Sequence, residues 1–175
     1  MSVVLRDLDA RQALLPLAAA VAVSEACETL APVACRIKWP NDVWVDGRKL
    51  AGVLIEGRPQ EGWSVLGIGV NVTTELSGFP ADIRDTATSL RAGGAASVTV
   101  EGTLAAVLGA LQGRLTQPAA KTLASWRERD ALMGYEVRWQ DGNGTVAGID
   151  DSGALLVDAA EGRVSLDAGE VHLLR

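Results

Sequence analysis

The apolar and polar residues near the start of the chain predict a short strand followed by a buried helix. Ser2 to Arg6, SVVLR, predicts a short strand, and the apolar run at residues 13–23 predicts a helix from Leu15 to about Leu30. Pro16 is tolerated only in the first turn of such a helix, and Pro32 ends it.

Two further observations bear on this helix. Asp9, with Gln12 three residues later, is placed to cap its start. The apolar run is too short to span a bilayer, and the charges that precede it cancel, so a buried helix is favoured over a signal peptide.

The next segment predicts a β-hairpin. Val43–Val45 and residues 48–56 are separated by Asp46-Gly47, and this dipeptide supplies the positive φ angles that a two-residue turn requires.

Residues 63–72, WSVLGIGVNV, predict a strand with an unusual face. Its aliphatic residues alternate with Gly67, Gly69 and Asn71. Glycine inside a strand weakens the strand unless something approaches the backbone closely. We therefore interpret the glycine face as the floor of a ligand pocket, with close packing of a helix as the alternative.

The rest of the chain predicts a loop, two helices and a small barrel. Residues 73–89 form a connection long enough to be functional, and residues 102–115 and 118–132 are helical in pattern, with Trp126 on the buried side. After Gly134, five short apolar runs alternate with glycine turns, which is typical of a small barrel. The predicted domains are therefore residues 1–132 and 133–175.

Composition excludes several classes of function. A net charge of −6 argues against a nucleic-acid-binding surface, which needs a basic face. Cys27 and Cys35 are too few for a disulfide scaffold or a zinc site, and we expect both to lie reduced in the core of a cytoplasmic protein.

Lysine usage points to an anionic ligand. The chain has three lysines against thirteen arginines, and Lys38 and Lys49 both lie in the segment KWPNDVWVDGRKLAGVLIEG. An ammonium group suits contact with a single phosphate or carboxylate oxygen, whereas guanidinium favours a planar fork. The alternative is that both are ordinary solvated lysines.

Three motifs in order, K-W-P-N-D, D-G-R-K-L-A-G-V-L-I-E and G-I-G-V-N-V, followed by the small strands, resemble the biotin protein ligase family. Lipoate ligases share the fold but resemble this pattern less closely. The resemblance implies an α+β fold, with a mixed sheet and helices similar to class II tRNA synthetases and then an SH3-like barrel. It implies activation of biotin with ATP and Mg²⁺ to biotinyl-5′-adenylate, and transfer to a lysine of a biotin carboxyl carrier protein. It further implies a homodimer. The acidic net charge, the two cysteines and the lack of a bilayer-length apolar run predict a cytoplasmic protein without nucleic-acid or membrane partners.

The resemblance also implies roles for individual residues. Lys49 matches the catalytic lysine that contacts both the biotin carboxyl group and the phosphate. The other residues on the biotin side are Gly52, Gly67 and Gly69, beside Lys49 itself. The residues on the nucleotide side are Lys38, Asn41, Asp42 and Asn71. Asp42 and Asn71 would also hold Mg²⁺. Simple strand alternation points Gly52 away from Lys49, so its placement requires a bulge.

Other residues near these motifs are expected to be structural. We expect Trp39 and Trp44 to belong to the core instead of stacking on a ligand, and Arg48 to be a solvated neighbour.

One departure from the family pattern suggests an alternative hypothesis. Nothing in residues 1–14 resembles the family's Gly- and Arg-rich loop, which folds over the adenylate. We therefore expect a truncated chain with exposed sheet edges that favour self-association. The alternative function is a catalytically impaired chain that serves only as a dimerisation or carrier-docking module.

Overall fold

The structure, a computed structural model, describes residues 1–6, 13–58 and 62–174; the predicted cap at Asp9 and Gln12 lies outside them. In these ranges the strands form two five-stranded sheets, here called sheet A and sheet B. Sheet A has the order β1-β5-β4-β3-β2 and consists of β1 (Ser2–Arg6), β2 (Arg36–Lys38), β3 (Asp42–Val45), β4 (Arg48–Arg58) and β5 (Trp63–Val70). Sheet B has the order β10-β6-β7-β8-β9 and consists of β6 (Glu136–Trp139), β7 (Gly142–Ile149), β8 (Leu155–Ala159), β9 (Gly162–Leu166) and β10 (His172–Leu173).

Both sheets are antiparallel, so the prediction of a mixed sheet is wrong. Most neighbouring strands also follow one another in the chain, and short connections between successive strands impose antiparallel pairing. Parallel pairing within the described ranges is confined to two isolated bridges, Ile37 with Asp130 and Lys49 with Ala87.

The first helix, α1 (Leu15–Leu30), has the predicted limits and is buried as predicted. Pro16 lies in its first turn, and after Leu30 the N–H of Ala31 closes the last turn on the carbonyl of Cys27. Apolar residues cover nearly every side of this helix, and nearly every side is buried against other elements. Sheet A covers one face, and two further helices cover another.

Those two helices are α2 (Val100–Thr116) and α3 (Ala119–Arg127). The Thr99 hydroxyl caps α2 by accepting from the N–H of Gly102. Helix α3 is shorter than predicted, although Trp126 is fully buried as expected. It ends early because the chain after it pairs with the edge of β2, where the N–H of Ile37 donates to the carbonyl of Arg129.

Sheet B has the five short strands that were predicted, but it does not close into a barrel in the described part of the chain. Its last strand, β10, has only two residues. The residues just before it, Gly169 to Val171, line a cleft on sheet A instead of continuing a strand. Buried residues of both sheets nevertheless belong to one hydrophobic cluster.

Within the described ranges, no helix has both the length and the apolar character that crossing a bilayer requires.

Candidate functional site

The turn between β3 and β4 and the bulge that follows it place Lys49. Asp46 and Gly47 have φ angles of 51° and 74°, which confirms the predicted hairpin turn. Beyond the turn, the pairing of β4 with β3 shifts by one residue, which leaves Leu50 as an extra residue in β4. Leu50 and Ala51 are both buried as a result.

Because of this bulge, Lys49 and Gly52 lie on the same face of sheet A, the open face that points away from α1. A Cβ atom added to Gly52 would lie 3.3 Å from the Lys49 Nζ atom. The bulge that the sequence required is therefore present, and the structure brings Gly52 next to the lysine.

Asp42 forms an ion pair with Lys49. The Lys49 Nζ atom lies 2.6 Å from Asp42 Oδ1, and the two side chains are 48% and 23% exposed. The main chain of Lys49 is held from the other side, where its N–H donates to the carbonyl of Thr86 and its carbonyl accepts from the N–H of Thr88. The ammonium group is thus fixed at the surface of the sheet and remains open to a ligand.

The glycines of β5 leave the open face bare. Gly69 pairs with Gly52, and a Cβ atom added to Gly69 would meet nothing within 4 Å. A Cβ atom added to Gly67 would make only ordinary contact with Leu54. No described helix packs on this patch, so the structure favours the pocket-floor interpretation over helix packing.

A first cleft of about 480 Å³ lies above this patch. It collects all the predicted site residues except Asn71: Lys38, Asn41, Asp42, Lys49, Gly52, Gly67 and Gly69. Its opposite wall is formed by Gly169, Glu170 and Val171, which precede β10.

A second cleft of about 340 Å³ contains the remaining predicted residue, Asn71. Lys49, Gly52 and Gly69 line both clefts, so these three residues form a shared wall. The outer wall of the second cleft comes from the predicted functional loop, through Phe79, Ile83, Thr86 and Ala87.

The two asparagines are held differently. The amide of Asn41 donates to the carbonyl of Val53 at 2.5 Å, and the N–H of Val53 donates to the carbonyl of Asn41. Asn41 therefore braces the turn that it belongs to. The amide of Asn71 makes only a long contact of 3.5 Å with the carbonyl of Lys49, which leaves it available to a ligand.

One of the two tryptophans near the site belongs to the core, as expected. Trp39 is 2% exposed, and its indole N–H donates to the carbonyl of Gly153. The same expectation is wrong for Trp44, because strand alternation turns it away from the buried valines on either side of it. Trp44 is only half-buried, and the Lys38 Nζ atom lies 5.7 Å from its ring centroid.

The cysteines are also as predicted. Cys27 and Cys35 are free and buried. Burial is the main reason that the pKa of each thiol is raised to about 12.

Sequence reasoning missed the contributions of Glu170 and of Phe79 and Ile83 to the clefts. The length of residues 73–89 was a signal for the loop but did not select these side chains. No pattern in the sequence pointed from the last strand back to sheet A.

Comparison with known proteins matches two parts of the chain. Residues 1–72 match the biotin/lipoate A/B protein ligase family, and residues 134–174 match the biotin protein ligase C-terminal domain. The biotin–[acetyl-CoA-carboxylase] ligase of Paracoccus denitrificans is 32% identical over 168 residues, which cover 86% of this chain and 67% of the relative. The corresponding ligase of Mycobacterium tuberculosis is 35% identical, with 92% of this chain and 62% of the relative covered.

The bifunctional ligase/repressor BirA of Bacillus subtilis is 31% identical over 91% of this chain, which spans about half, 52%, of that relative. Among solved structures, the biotin protein ligase of Aquifex aeolicus in complex with biotin and ATP superimposes with a TM-score of 0.86 at 28% identity. The alignment covers 99% of this chain and 77% of that one.

Proposed function

Because this chain belongs to the biotin protein ligase family, we propose that it activates biotin with ATP and transfers the biotin to a lysine of a biotin carboxyl carrier protein. The observation that carries the proposal is the pair of clefts that meet at Lys49 over a patch of sheet without side chains. A reaction that joins two substrates needs two sites with a common boundary. Similarity to a ligase whose solved structure holds biotin and ATP supports this assignment.

We assign biotin to the glycine floor of the first cleft. We assign the nucleotide to a path that runs from the turn at the rim of this cleft, across the shared wall, into the second cleft. Gly52, Gly67 and Gly69 would then lie under biotin. Lys38, Asn41 and Asp42, on the turn at the rim of the first cleft, and Asn71, in the second, would face the nucleotide. The exposed amide of Asn71 and the open space above Gly69 support this arrangement.

In the first step, a biotin carboxylate oxygen attacks the α-phosphorus of ATP, and the bond to the pyrophosphate group breaks. Both reactants are anions, so they repel each other. The Lys49 ammonium lies on the shared wall and would offset this repulsion. One pair of charges at about 4 Å contributes on the order of 4 kcal/mol at an effective dielectric constant near 20, before desolvation.

In the second step, the amine of the acceptor lysine attacks the acyl carbon of biotinyl-adenylate, and AMP leaves. Lys49 stays beside the phosphate and stabilises the negative charge that AMP carries away. Removing a preorganised donor of this kind typically slows a reaction about a hundredfold to a thousandfold.

We propose that Mg²⁺ binds together with ATP, because the described part of the protein offers few ligands for the ion by itself. Among the residues that the structure describes, no three His, Cys, Asp or Glu side chains form a metal-binding group. Asp42 lines the first cleft and Asn71 the second, so the protein offers one carboxylate and one amide from different walls. That set suits Mg²⁺ only if ATP phosphates supply further oxygens.

We further propose the finer features that the family resemblance implies. These are a class II synthetase-like catalytic domain over residues 1–132, an SH3-like domain over residues 133–175, a cytoplasmic location and a homodimer. The outer edge of β1, which has no strand partner in the described ranges, is a surface on which two chains could pair.

The test of the proposed function uses Lys49→Ala. With biotin and ATP at about a hundred times their dissociation constants, we expect the melting temperature of the unmutated chain to rise by about 10 to 20 °C. Lys49→Ala should abolish the rise, because the charge shared by both clefts is lost. Lys121→Ala, at the exposed third lysine on α3, is the control and should keep it.

Turnover distinguishes this proposal from a docking module. Labelled biotin should appear on an acceptor domain in the presence of ATP and Mg²⁺. Binding of the acceptor without transfer would contradict the enzyme assignment and support the docking alternative.

A further inference from the structure

The Trp39 side chain connects the site turn to sheet B. Trp39 follows Lys38 in the turn between β2 and β3, and its indole is almost completely buried. The indole N–H donates to the carbonyl of Gly153 at 3.0 Å, between residues 114 positions apart in the chain. The turn that carries Lys38, Asn41 and Asp42 is therefore anchored by a side chain to the loop between β7 and β8.

That loop is itself rigidly organised. Asp150 Oδ1 accepts from the Ser152 hydroxyl at 2.6 Å, from the Ser152 N–H at 2.8 Å and from the Ala154 N–H at 3.1 Å. The Ser152 hydroxyl is the main cause of the lowered pKa of Asp150. From α3, Arg127 donates to the carbonyl of Ile149 and to the carboxylate of Asp151.

The acceptor residue is also fixed by packing. Gly153 has a φ angle of +90°, and a Cβ atom added there would lie 2.7 Å from Leu17 Cδ1 and 2.9 Å from Leu14 Cδ2. The start of α1 therefore presses directly on the loop. The carbonyl that receives the Trp39 N–H has little freedom to move.

Sheet B reaches the first cleft at a second place, through Gly169, Glu170 and Val171. We propose that Trp39 is a positioning residue, whose hydrogen bond to Gly153 sets the Lys38–Asp42 turn against the 169–171 wall. Trp39 acts through the residues beside it and not by chemistry of its own. This inference deepens the proposed function and rests on it for the kinetic consequence.

The chain offers a matched control for the loss of an indole. Trp126 is also fully buried, on α3, but its indole N–H has no hydrogen-bond partner among the described residues. Trp39→Phe and Trp126→Phe remove the same volume from the core. Only Trp39→Phe removes a hydrogen bond and leaves the Gly153 carbonyl without this donor.

The first measurement is hydrogen–deuterium exchange of the backbone amides in residues 37–45. Trp39→Phe should accelerate exchange in this segment by about tenfold, the factor that corresponds to one ordinary hydrogen bond. Trp126→Phe should leave it unchanged. Equal exchange in the two variants would overturn the inference, and this result does not depend on any enzymatic activity.

The second measurement is biotin-dependent exchange of pyrophosphate into ATP. Trp39→Phe should lower kcat/KM by about tenfold relative to Trp126→Phe at a similar melting temperature. Faster amide exchange without a kinetic difference between the variants would overturn the positioning role. If the unmutated chain shows no pyrophosphate exchange, the proposed function fails, while amide exchange still decides whether Trp39 holds the turn.

A second variant keeps the test decisive if Trp39→Phe does not fold. Replacing Trp39 with β-(3-benzothienyl)alanine keeps the bicyclic shape and removes only the N–H donor. Accelerated amide exchange in this variant supports the inference, and unchanged exchange contradicts it.

Discussion

At the scale of single residues, the floor of the first cleft is open because glycines there carry no side chains. Gly69 is exposed, and the space where its Cβ atom would lie is empty. Other glycines are required by packing, since a Cβ atom at Gly57 would lie 2.6 Å from the Ser64 Cα atom. Gly69 is therefore expected to matter for ligand binding, and Gly57 for the stability of the fold.

This separation is testable with Gly69→Val. The free energy of unfolding should change by less than about 1 kcal/mol, because valine suits a strand and meets no obstacle. Biotin affinity, measured by titration calorimetry, should fall at least tenfold because the isopropyl group enters the cleft. Gly109→Ala, on an open position of α2, is the control and should leave affinity intact. Unchanged biotin affinity in Gly69→Val would place the ligand elsewhere.

The cysteines give a second test at this scale. With pKa values of about 12, Cys27 and Cys35 hold about a thousandfold fewer thiolates at pH 8 than a free thiol does. We expect neither to react with a thiol reagent in the folded chain during the time in which the urea-unfolded chain reacts at both. Rapid reaction of the folded chain would mean that this part of the core opens.

At the scale of elements, Arg114 joins the three helices. It lies on α2 with 9% of its side chain exposed and forms an ion pair with Glu25 of α1. From the same guanidinium, N–H groups donate to the Ser125 hydroxyl and the Lys121 carbonyl of α3. A buried cation with this many acceptors specifies how the helices pack, although the pair itself costs desolvation.

Arg114→Met should lower the free energy of unfolding by about 3 kcal/mol, because the partly buried Glu25 then loses its partner. The double variant Glu25→Leu/Arg114→Met should recover part of this loss. Arg163→Met removes an exposed pair with Asp158 and should leave the free energy of unfolding nearly unchanged, because solvent screens such a pair. Urea unfolding measures all three, and equal losses in Arg114→Met and Arg163→Met would refute the role of burial.

The elements themselves were largely predictable. The Asp46-Gly47 turn, the limits of α1 and the alternation of β5 follow from local backbone chemistry, which the sequence carries directly. The bulge at Leu50 was predicted only because family resemblance required Gly52 beside Lys49. The early end of α3 was not predictable, because it depends on pairing with β2, ninety residues earlier.

At the scale of the whole molecule, sheet A, α1 and the pair α2 and α3 form layers. The loop between β7 and β8 of sheet B packs against Leu14 and Leu17, where α1 begins. The sequence could not show this contact between sheet B and the rest of the molecule, because the segments involved are far apart in the chain. It brings Gly153 to Trp39 and the 169–171 segment to the first cleft. The number of strands in sheet B was predictable, whereas the sequence did not show that the sheet stays open or that residues 169–171 line the first cleft.

The shared wall at Lys49, Gly52 and Gly69 also constrains how such a protein diverges during evolution. If the two clefts hold the two proposed substrates, a change at the wall would alter the recognition of both, so selection for a new partner there would be penalised twice. Preferences can drift independently only at the far ends, near Leu54 in one direction and near Phe79 and Ile83 in the other. Those remote ends are where an engineer should look for altered selectivity that leaves the reaction intact.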